Sequence, residues 1–388
     1  MQMIADSAGL AAFCARLAQA DYITVDTEFM RERTYWPQLC LVQVAGPDEA
    51  ACVDPLAEGI DLKPLLDRLY DPRQLKVFHA ARQDLEIFFH MTGDVPHPLF
   101  DTQVAGMVCG YGEAASYETL AGQLAGAKID KSARFTDWAA RPLSQRQLEY
   151  ALADVTHLRK VYTALARRLT ATGRAPWLGE EMAVLMDPET YRLEPETSWM
   201  RFKPRAAKPR YLAVLKEVAA WREREAQKRD LPRNRVLRDE SVVDIAAHPP
   251  GNAEELGRLR GLSRGFVDGR MGQDLLGAIQ RGLHLPESEI PRVDPTPDLP
   301  GGVGPTVELL KVLLKMKCEA AGVAQKLVAT SADLERIAAD DEADVPALRG
   351  WRRQLFGVHA LELKRGRLAL SLEGRRVRLI DSGSKAAE

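Results

Sequence analysis

Apolar and polar residues follow two different periods along the chain. In the first 170 residues, short apolar runs at 23–25, 39–45 and 51–53 predict three successive strands. The connections between these runs are too short for a crossover, so antiparallel pairing is expected. A fourth strand is predicted at 75–79.

Helical periods surround the fourth strand. Residues 61–70 precede it with an amphipathic pattern, residues 80–89 follow it directly, and 144–169 carry one apolar face. A helix–strand–helix order favours parallel pairing in the later part of the sheet. The pattern therefore predicts an α/β domain with a mixed sheet and flanking helices.

The pattern changes after residue 175. A stretch rich in proline and charge at 187–210 has no apolar period and predicts a partly extended linker, with Trp199 and Phe202 docked on a neighbouring domain. Two all-helical segments follow, and 236–246 aligns with 328–338 at a shift of 92 residues, which predicts two copies of one small domain. The predicted division is a catalytic domain at 1–175, a linker at 176–209, helical domains at 210–290 and 306–375 joined by a Pro/Gly linker at 291–305, and a flexible tail at 376–388.

Composition narrows the functional classes. The 388 residues carry a net charge of −2, so an electrostatic contact with a polyanion requires a local basic patch. The five cysteines are scattered without a C-x-x-C pair, which is typical of a reducing compartment. With no signal-peptide pattern at the N-terminus and no apolar run of about 20 residues, we expect a cytoplasmic protein that does not contact the membrane.

Acidic residues mark the candidate chemistry. Asp26 and Glu28 end the first strand on one face, where two like charges repel unless a cation lies between them. Asp84 lies in the helix after the fourth strand, and Tyr150 and Asp154 share a helix face at i and i+4. Four carboxylates and a tyrosine suit two hard divalent cations that act on a phosphodiester.

Three segments around these residues resemble the motifs of the DEDD exonucleases, specifically the tyrosine subgroup and its ribonuclease D family. They are DTEFMRERTYWPQLCLVQ (26–43), VFHAARQDLEIFF (77–89) and LEYALADVTHL (148–158). LKEVAAWREREAQKRDLPRN (215–234) resembles the start of an HRDC domain, and the corresponding pattern in the last domain is divergent.

The resemblance implies an RNase H-like exonuclease domain followed by two small all-α HRDC-like domains. It implies a 3′→5′ exoribonuclease that uses two Mg²⁺ or Mn²⁺ ions to trim transfer-RNA precursors and other small structured RNAs. Asp26, Glu28, Asp84 and Asp154 would be the metal ligands and Tyr150 the residue that positions water. All five lie upstream of residue 170, which predicts cleavage that does not require residues 205–388.

Three other residues allow two interpretations each. His79 is either a group that supports the metal ligands or a hydrogen-bonded core histidine. Asp101 either caps the helix that begins near Gln103 or binds metal directly, and Phe29 either packs in the core or stacks on a terminal base.

Basic residues concentrate between positions 203 and 238 and predict a surface that binds the RNA backbone. This stretch contains twelve basic and four acidic side chains, which gives it a net charge of +8. They are Lys203, Arg205, Lys208, Arg210, Lys216, Arg222, Arg224, Lys228, Arg229, Arg233, Arg235 and Arg238.

Three alternatives remain from the sequence. A DNA-directed exonuclease would use the same carboxylates, because the metals contact phosphate and not sugar. A non-catalytic binding or scaffold protein is disfavoured because all four acids are present. A helicase is disfavoured because no G-x-x-x-x-G-K-[ST] motif occurs, so neither ATP nor a motor is expected. We expect a monomer.

Overall fold

The computed structural model describes residues 2–204, 208–293 and 300–382 of the chain. A six-stranded sheet forms its first part, in the order β1–β4–β3–β2–β5–β6. The strands are β1 (Gln2–Ile4), β2 (Tyr22–Met30), β3 (Gln38–Ala45), β4 (Ala50–Val53), β5 (Leu75–Phe78) and β6 (Leu99–Asp101). β3 pairs antiparallel with β2 and β4, whereas β2–β5, β5–β6 and β1–β4 are parallel. Both predicted kinds of pairing are confirmed.

The observed strands differ from the predicted ones mainly in length. β2 continues five residues past Val25 because Asp26–Met30 remain paired with β3. The fourth predicted strand ends at Phe78, so His79 lies in the following turn. β1 and β6 have three residues each, too few to show a period.

Seven helices accompany the sheet and its C-terminal extension. They are α1 (Ser7–Leu17), α2 (Lys63–Leu69), α3 (Arg82–Thr92), α4 (Thr102–Val108), α5 (Tyr117–Leu120), α6 (Gln145–Ala171) and α7 (Gly179–Met186). The longest helix, α6, packs across β2, β3 and β4. It begins at Gln145 because Ser144 and Gln147 form a capping box, which satisfies two backbone donors of the first turn.

The predicted linker at 176–209 is folded over most of its length. It contains α7, the 3₁₀ segments Pro188–Thr190 and Pro195–Phe202, and most of a third one, Ala175–Leu178. Trp199 is buried in the core of the following helices and Phe202 packs against that core, as expected for docking residues. Residues 205–207 lie outside the described part of the chain.

Two groups of helices follow. The first group contains α8 (Pro209–Arg229), α9 (Arg233–Val236), α10 (Asp239–Ala247), α11 (Ala253–Gly257), α12 (Arg264–Val267) and α13 (Arg270–His284). The second contains α14 (Val303–Ala321), α15 (Gln325–Val328), α16 (Ser331–Ala339), α17 (Gly350–Arg352) and α18 (Val358–Lys364). The bounds of α15 and α16 follow those of α9 and α10 by the same 92 residues that align the sequences.

The two groups pack differently. The first has its own hydrophobic core, which also includes Tyr35 and Trp199. The second group shares one core with the sheet domain, where Trp177 stacks on Trp351 at 4.3 Å between ring centroids. At this junction Gly110 has φ +82°, and a Cβ there would lie 2.6 Å from the Gly322 carbonyl oxygen, so a side chain has no room.

The end of the chain corrects two predictions. The last domain is not entirely helical, because β7 (Leu368–Glu373) and β8 (Arg376–Asp381) pair as an antiparallel hairpin. Residues 376–381 therefore do not belong to a flexible tail. The hairpin forms because apolar residues alternate on both strands and Gly374 supplies a left-handed turn position, φ +59°.

Parts of two other predicted segments, 294–299 and 383–388, fall outside the described residues. Within the described residues, no helix combines the length and apolarity needed to cross a bilayer.

Candidate metal centre

The first two acids are placed by the end of β2. Asp26 and Glu28 lie on one face of the strand. Thr24 lies on the same face and donates from Oγ1 to the Val155 carbonyl of α6 at 2.9 Å, which shows that this face packs against α6. The β2–β3 register shifts between Glu28 and Phe29, which is a bulge in the ladder. The extra residue is Cys40 of β3, so the strand that bends beside the second acid is its partner, β3.

Helix α6 brings the third acid and the tyrosine to the same place. Asp154 is buried and accepts a hydrogen bond from the Tyr150 side chain one turn earlier. Carboxylate oxygens of Asp26, Glu28 and Asp154 all lie within 4.8 Å of one another. Two elements that are far apart in the sequence thus converge on one small volume.

The fourth acid, Asp84, lies on α3 and approaches Asp26. It is buried, and its Oδ1 accepts a hydrogen bond from Thr27 Oγ1 at 2.5 Å. Asp84 is not one of the three carboxylates within 4.8 Å, but its charge is close enough to raise the pKa of Asp26. The four acids are hereafter called the carboxylate cluster.

The turn before α3 is held by Asp101. Its carboxylate accepts hydrogen bonds from the backbone N–H groups of Ala80 at 3.0 Å and Ala81 at 2.9 Å. It also accepts from Gln103 at 2.7 Å and so caps α4, as one of its two interpretations predicted. Because Ala80 has φ +57°, an unusual conformation for alanine, these bonds stabilise the turn that places Asp84.

Burial and mutual repulsion keep protons on the carboxylate cluster. Burial, followed by the charges of neighbouring acids, raises the pKa of Asp26 well above its usual range and that of Glu28 to about 9. Burial also raises the pKa of Asp84 and of Asp154 to about 7. The metal-free cluster therefore retains protons at neutral pH, because its surroundings supply too little positive charge to balance four ionised carboxylates.

The donor set fits divalent cations. Mg²⁺ and Mn²⁺ prefer oxygen ligands, and carboxylates are their usual protein ligands. A dication among these acids would reverse the repulsion that raises their pKa values. The chemistry and spacing of the carboxylates are thus those of a site for hard metal ions.

The structure favours a packing role for two further candidates. His79 is partly buried, its Nδ1 lies 3.0 Å from Thr102 Oγ1, and burial lowers its pKa, as for a hydrogen-bonded core histidine. Phe29 packs against the main hydrophobic core, which is the packing interpretation of that residue.

Two residues at the site were not identified from the sequence. Thr27 lies between the two β2 acids and binds Asp84, and its backbone hydrogen bonds lower the pKa of both Asp26 and Asp84. Arg134 is exposed, and its charge lowers the pKa of Glu28 and Asp154. The threonine lies inside the D-T-E motif, but nothing in the sequence associates Arg134 with the cluster.

The basic stretch at 203–238 is largely committed to contacts within the protein. Arg222 is only 2% exposed and pairs with Asp239 at 2.6 Å, and Arg233 pairs with Glu223. The prediction that these two arginines bind RNA is therefore wrong. Within the described part of the chain, five basic residues of this stretch are exposed with neither an ion pair nor a side-chain hydrogen bond: Lys203, Lys208, Lys228, Arg235 and Arg238.

Comparisons with known proteins place the two parts of the chain in known families. Residues 1–170 match the 3′-5′ exonuclease family, and residues 211–279 match the HRDC domain. The chain is 56% identical to ribonuclease D of Nitrobacter hamburgensis over 97% of this chain and 98% of that protein. It is 51% identical to ribonuclease D of Granulibacter bethesdensis over 98% and 97%.

A solved structure agrees with these sequence matches. The crystal structure of Escherichia coli RNase D, described as an exoribonuclease involved in structured RNA processing, superposes with a TM-score of 0.82 at 32% identity. The match covers 94% of this chain and 98% of the E. coli chain, so the sheet domain and both groups of helices are shared.

Proposed function

Because the chain belongs to the ribonuclease D family of 3′→5′ exoribonucleases, we propose that it hydrolyses RNA by two-metal-ion catalysis at the carboxylate cluster. The observation that carries the proposal is the convergence of Asp26, Glu28 and Asp154 within 4.8 Å, with Tyr150 hydrogen-bonded to Asp154. Asp84, buried beside Asp26, is the fourth proposed ligand.

Each residue has a proposed role in the reaction. The four acids would hold two divalent ions, Mg²⁺ or Mn²⁺, which would supply stabilisation of the negative charge that develops in an in-line displacement. Tyr150, one helical turn from Asp154, orients the attacking water through its hydroxyl. The water oxygen bonds to the phosphorus that links the last two nucleotides. The bond from that phosphorus to the 3′ oxygen of the preceding nucleotide breaks, which releases a nucleoside 5′-monophosphate.

The proposed substrates are transfer-RNA precursors and other small structured RNAs. The description of E. coli RNase D as an enzyme of structured RNA processing supports this choice, and so does the HRDC match at 211–279. The exposed basic residues Lys203, Lys208, Lys228, Arg235 and Arg238 are the proposed contacts to the RNA backbone.

We further propose that the enzyme acts in the cytoplasm as a monomer and without ATP. All five cysteines are free and buried, which suits a reducing compartment. Light scattering at working concentration would test the monomer.

Incubation with end-labelled RNA and DNA of one sequence, in Mg²⁺, Mn²⁺ or EDTA, tests the function. We expect stepwise shortening of RNA from its 3′ end in either metal and none in EDTA. Equal rates on DNA would contradict the RNA preference, and full activity in EDTA would contradict the metal-dependent mechanism.

A further inference from the structure

The loop between β2 and β3, residues 31–37, directly follows the strand end that carries Glu28. We infer that the first group of helices (α8–α13) positions this strand end by holding the loop in a polar contact with α8 and α9. This inference rests on the proposed role of Glu28 as a metal ligand. It assigns a positioning role to residues more than 190 positions away, in a domain otherwise expected only to bind RNA.

Asp230 holds the loop backbone. Its Oδ1 accepts hydrogen bonds from the backbone N–H groups of Tyr35 and Trp36, each at 3.0 Å. Asp230 is the C-cap of α8 and has φ +48°, a left-handed conformation that Asn, Asp and Gly adopt more readily than other residues. The end of α8 is thus shaped to present a carboxylate to the loop.

Tyr35 holds the loop side chain inside the neighbouring domain. It is 3% exposed and belongs to the hydrophobic core of α8–α13. Its hydroxyl donates to Glu223 and accepts from Arg233 Nη2 at 2.8 Å, and the Arg233 guanidinium lies 4.5 Å from the ring centroid. Tyr35, Glu223, Asp230 and Arg233 are hereafter called the interdomain clamp.

The other side of the loop is tied to α3, which carries Asp84. Arg31 pairs with Glu86 at 2.6 Å, and the Trp36 ring stacks on His90 with centroids 4.0 Å apart and planes 10° from parallel. The loop therefore joins the end of β2, the helix of the fourth acid and the first helical domain. Movement of the clamp would be transmitted to β2 and α3, two of the three elements that carry the carboxylate cluster.

The ladder alone supports the end of β2 weakly. The bulge between Glu28 and Phe29 interrupts the pairing with β3, and only Phe29–Leu39 and Met30–Gln38 pair beyond it. The extra residue of the bulge is Cys40 of β3, so the strand that pairs with the end of β2 bends beside Glu28. Glu28 itself pairs with Leu41 and only two pairs follow it, so the interdomain clamp adds a support to this strand end from the loop side.

Two substitutions of Asp230 separate the lost hydrogen bonds from backbone strain. Asp230→Gly keeps the left-handed conformation but removes the oxygen that accepts from both loop N–H groups. Asp230→Asn keeps the left-handed conformation and also keeps an acceptor oxygen. We expect the glycine variant to bind Mn²⁺ about tenfold more weakly in calorimetric titration of the full-length protein without RNA, the low end for residues that support metal ligands. Its kcat on a short oligonucleotide should fall by a similar factor with KM unchanged.

Three reference variants make the result decisive. Asp230→Asn should retain wild-type Mn²⁺ affinity, and Arg264→Ala, an exposed change in the same domain away from the proposed RNA contacts, should do so as well. Tyr35→Phe keeps the ring in the core but loses the hydroxyl contacts, so it should weaken Mn²⁺ binding in the same direction if Asp230→Gly proves unstable. Asp154→Asn, a proposed ligand variant, should lose most of its Mn²⁺ affinity.

The possible outcomes distinguish the inference from the proposed function. Folded Asp230→Gly and Tyr35→Phe proteins with wild-type Mn²⁺ affinity and kcat would overturn the positioning role. Wild-type Mn²⁺ affinity in Asp154→Asn would contradict the ligand assignment itself, whatever the Asp230 variants do.

Discussion

Two clusters of charged residues lie at opposite ends of the β2–β3 loop, and they balance charge in opposite ways. In the carboxylate cluster, burial raises the pKa values of all four acids, and the charges of neighbouring cluster acids raise those of Asp26 and Glu28 further. In the interdomain clamp, burial opposes the ionisation of Glu223, but hydrogen bonds from Arg233 and Tyr35 outweigh it and lower its pKa.

The difference identifies which cluster needs a ligand. A buried charge without a partner destabilises the folded state, whereas one that is paired and hydrogen-bonded does not. The clamp has its counter-charge within the protein, so its members support structure. The carboxylate cluster lacks a counter-charge large enough to balance four acids. It therefore destabilises the metal-free fold, and bound cations would stabilise it. Substitutions should consequently have opposite effects on stability in the two clusters.

The largest expected effect is the loss of activity in Asp154→Asn. The amide removes a charged ligand from a site proposed to hold two dications, so turnover should fall by several orders of magnitude, more than about 10³-fold. The metal-free variant should be at least as stable as the wild type, because repulsion in the cluster decreases. Single-turnover cleavage at saturating Mg²⁺ checks the first result and urea unfolding in EDTA the second. Near-normal turnover would refute the ligand assignment.

The same variant should reveal the proton linkage of the cluster. The pKa of Asp154 is raised to about 7, above its value of about 4 in an unfolded chain, so the folded protein binds the extra proton between these pH values. Metal-free stability should therefore fall as pH rises from about 4 to 7. Urea unfolding in EDTA should show the stability advantage of Asp154→Asn growing over this range. A constant advantage from pH 4 upward would contradict the raised pKa.

A substitution in the interdomain clamp should lower the stability of the folded protein. Glu223→Ala leaves Arg233 and the Tyr35 hydroxyl without their buried partner, and breaking such a pair costs about 3 kcal/mol of stability. Urea unfolding at pH 7 measures the loss, with Glu225→Ala as a control on the same helix outside the clamp. A Glu223→Ala protein as stable as the wild type would remove the contrast between the two clusters.

Tyr150→Phe tests a neutral member of the carboxylate site. The ring and its packing against Trp138, 6.1 Å between centroids, are retained, and the hydroxyl is lost. Turnover should fall by about 10²-fold with little change in RNA affinity, as expected for a group that positions water. Pre-steady-state kinetics with a separate binding titration would distinguish the two effects. An equal loss in both would identify Tyr150 as a substrate contact instead.

The sequence predicted the carboxylate site better than the clamp, for physical reasons. Alternation along β2 and the helical period of α6 placed Asp26, Glu28, Tyr150 and Asp154 on faces that could meet. The clamp joins Tyr35 to residues that lie between 188 and 198 positions later in the chain. A local period of apolar residues does not indicate so distant a contact.

The errors have local causes. A count of charges along 203–238 cannot tell which side of a helix is buried, and Arg222 lies on the buried side of α8. That cleavage does not require residues 205–388 stays a prediction, and it considered only the positions of the acids. Both helical groups pack on the catalytic part, one through the clamp and the other through a shared core. Strands of three residues were too short to detect.

The smallest expected effect concerns the basic residues that neither cluster uses. Arg235 and Arg238 are exposed and form no ion pair within the described residues, whereas Arg233, two positions away from Arg235, belongs to the clamp. Charge reversal of Arg235 and Arg238 to Glu should weaken binding of a transfer-RNA precursor and reduce the slope of log affinity against log salt by about one to two, because each lost phosphate contact releases fewer counterions.

Turnover on a short oligonucleotide and stability in urea should remain at wild-type values in this double variant, because it leaves the clamp and the carboxylate cluster intact. Arg233→Glu should give the opposite pattern, with lower stability and no specific change in the salt slope, because Arg233 contacts Glu223 and Tyr35 rather than RNA. An unchanged salt slope in the double variant would show that this face of the first helical domain does not contact the RNA backbone.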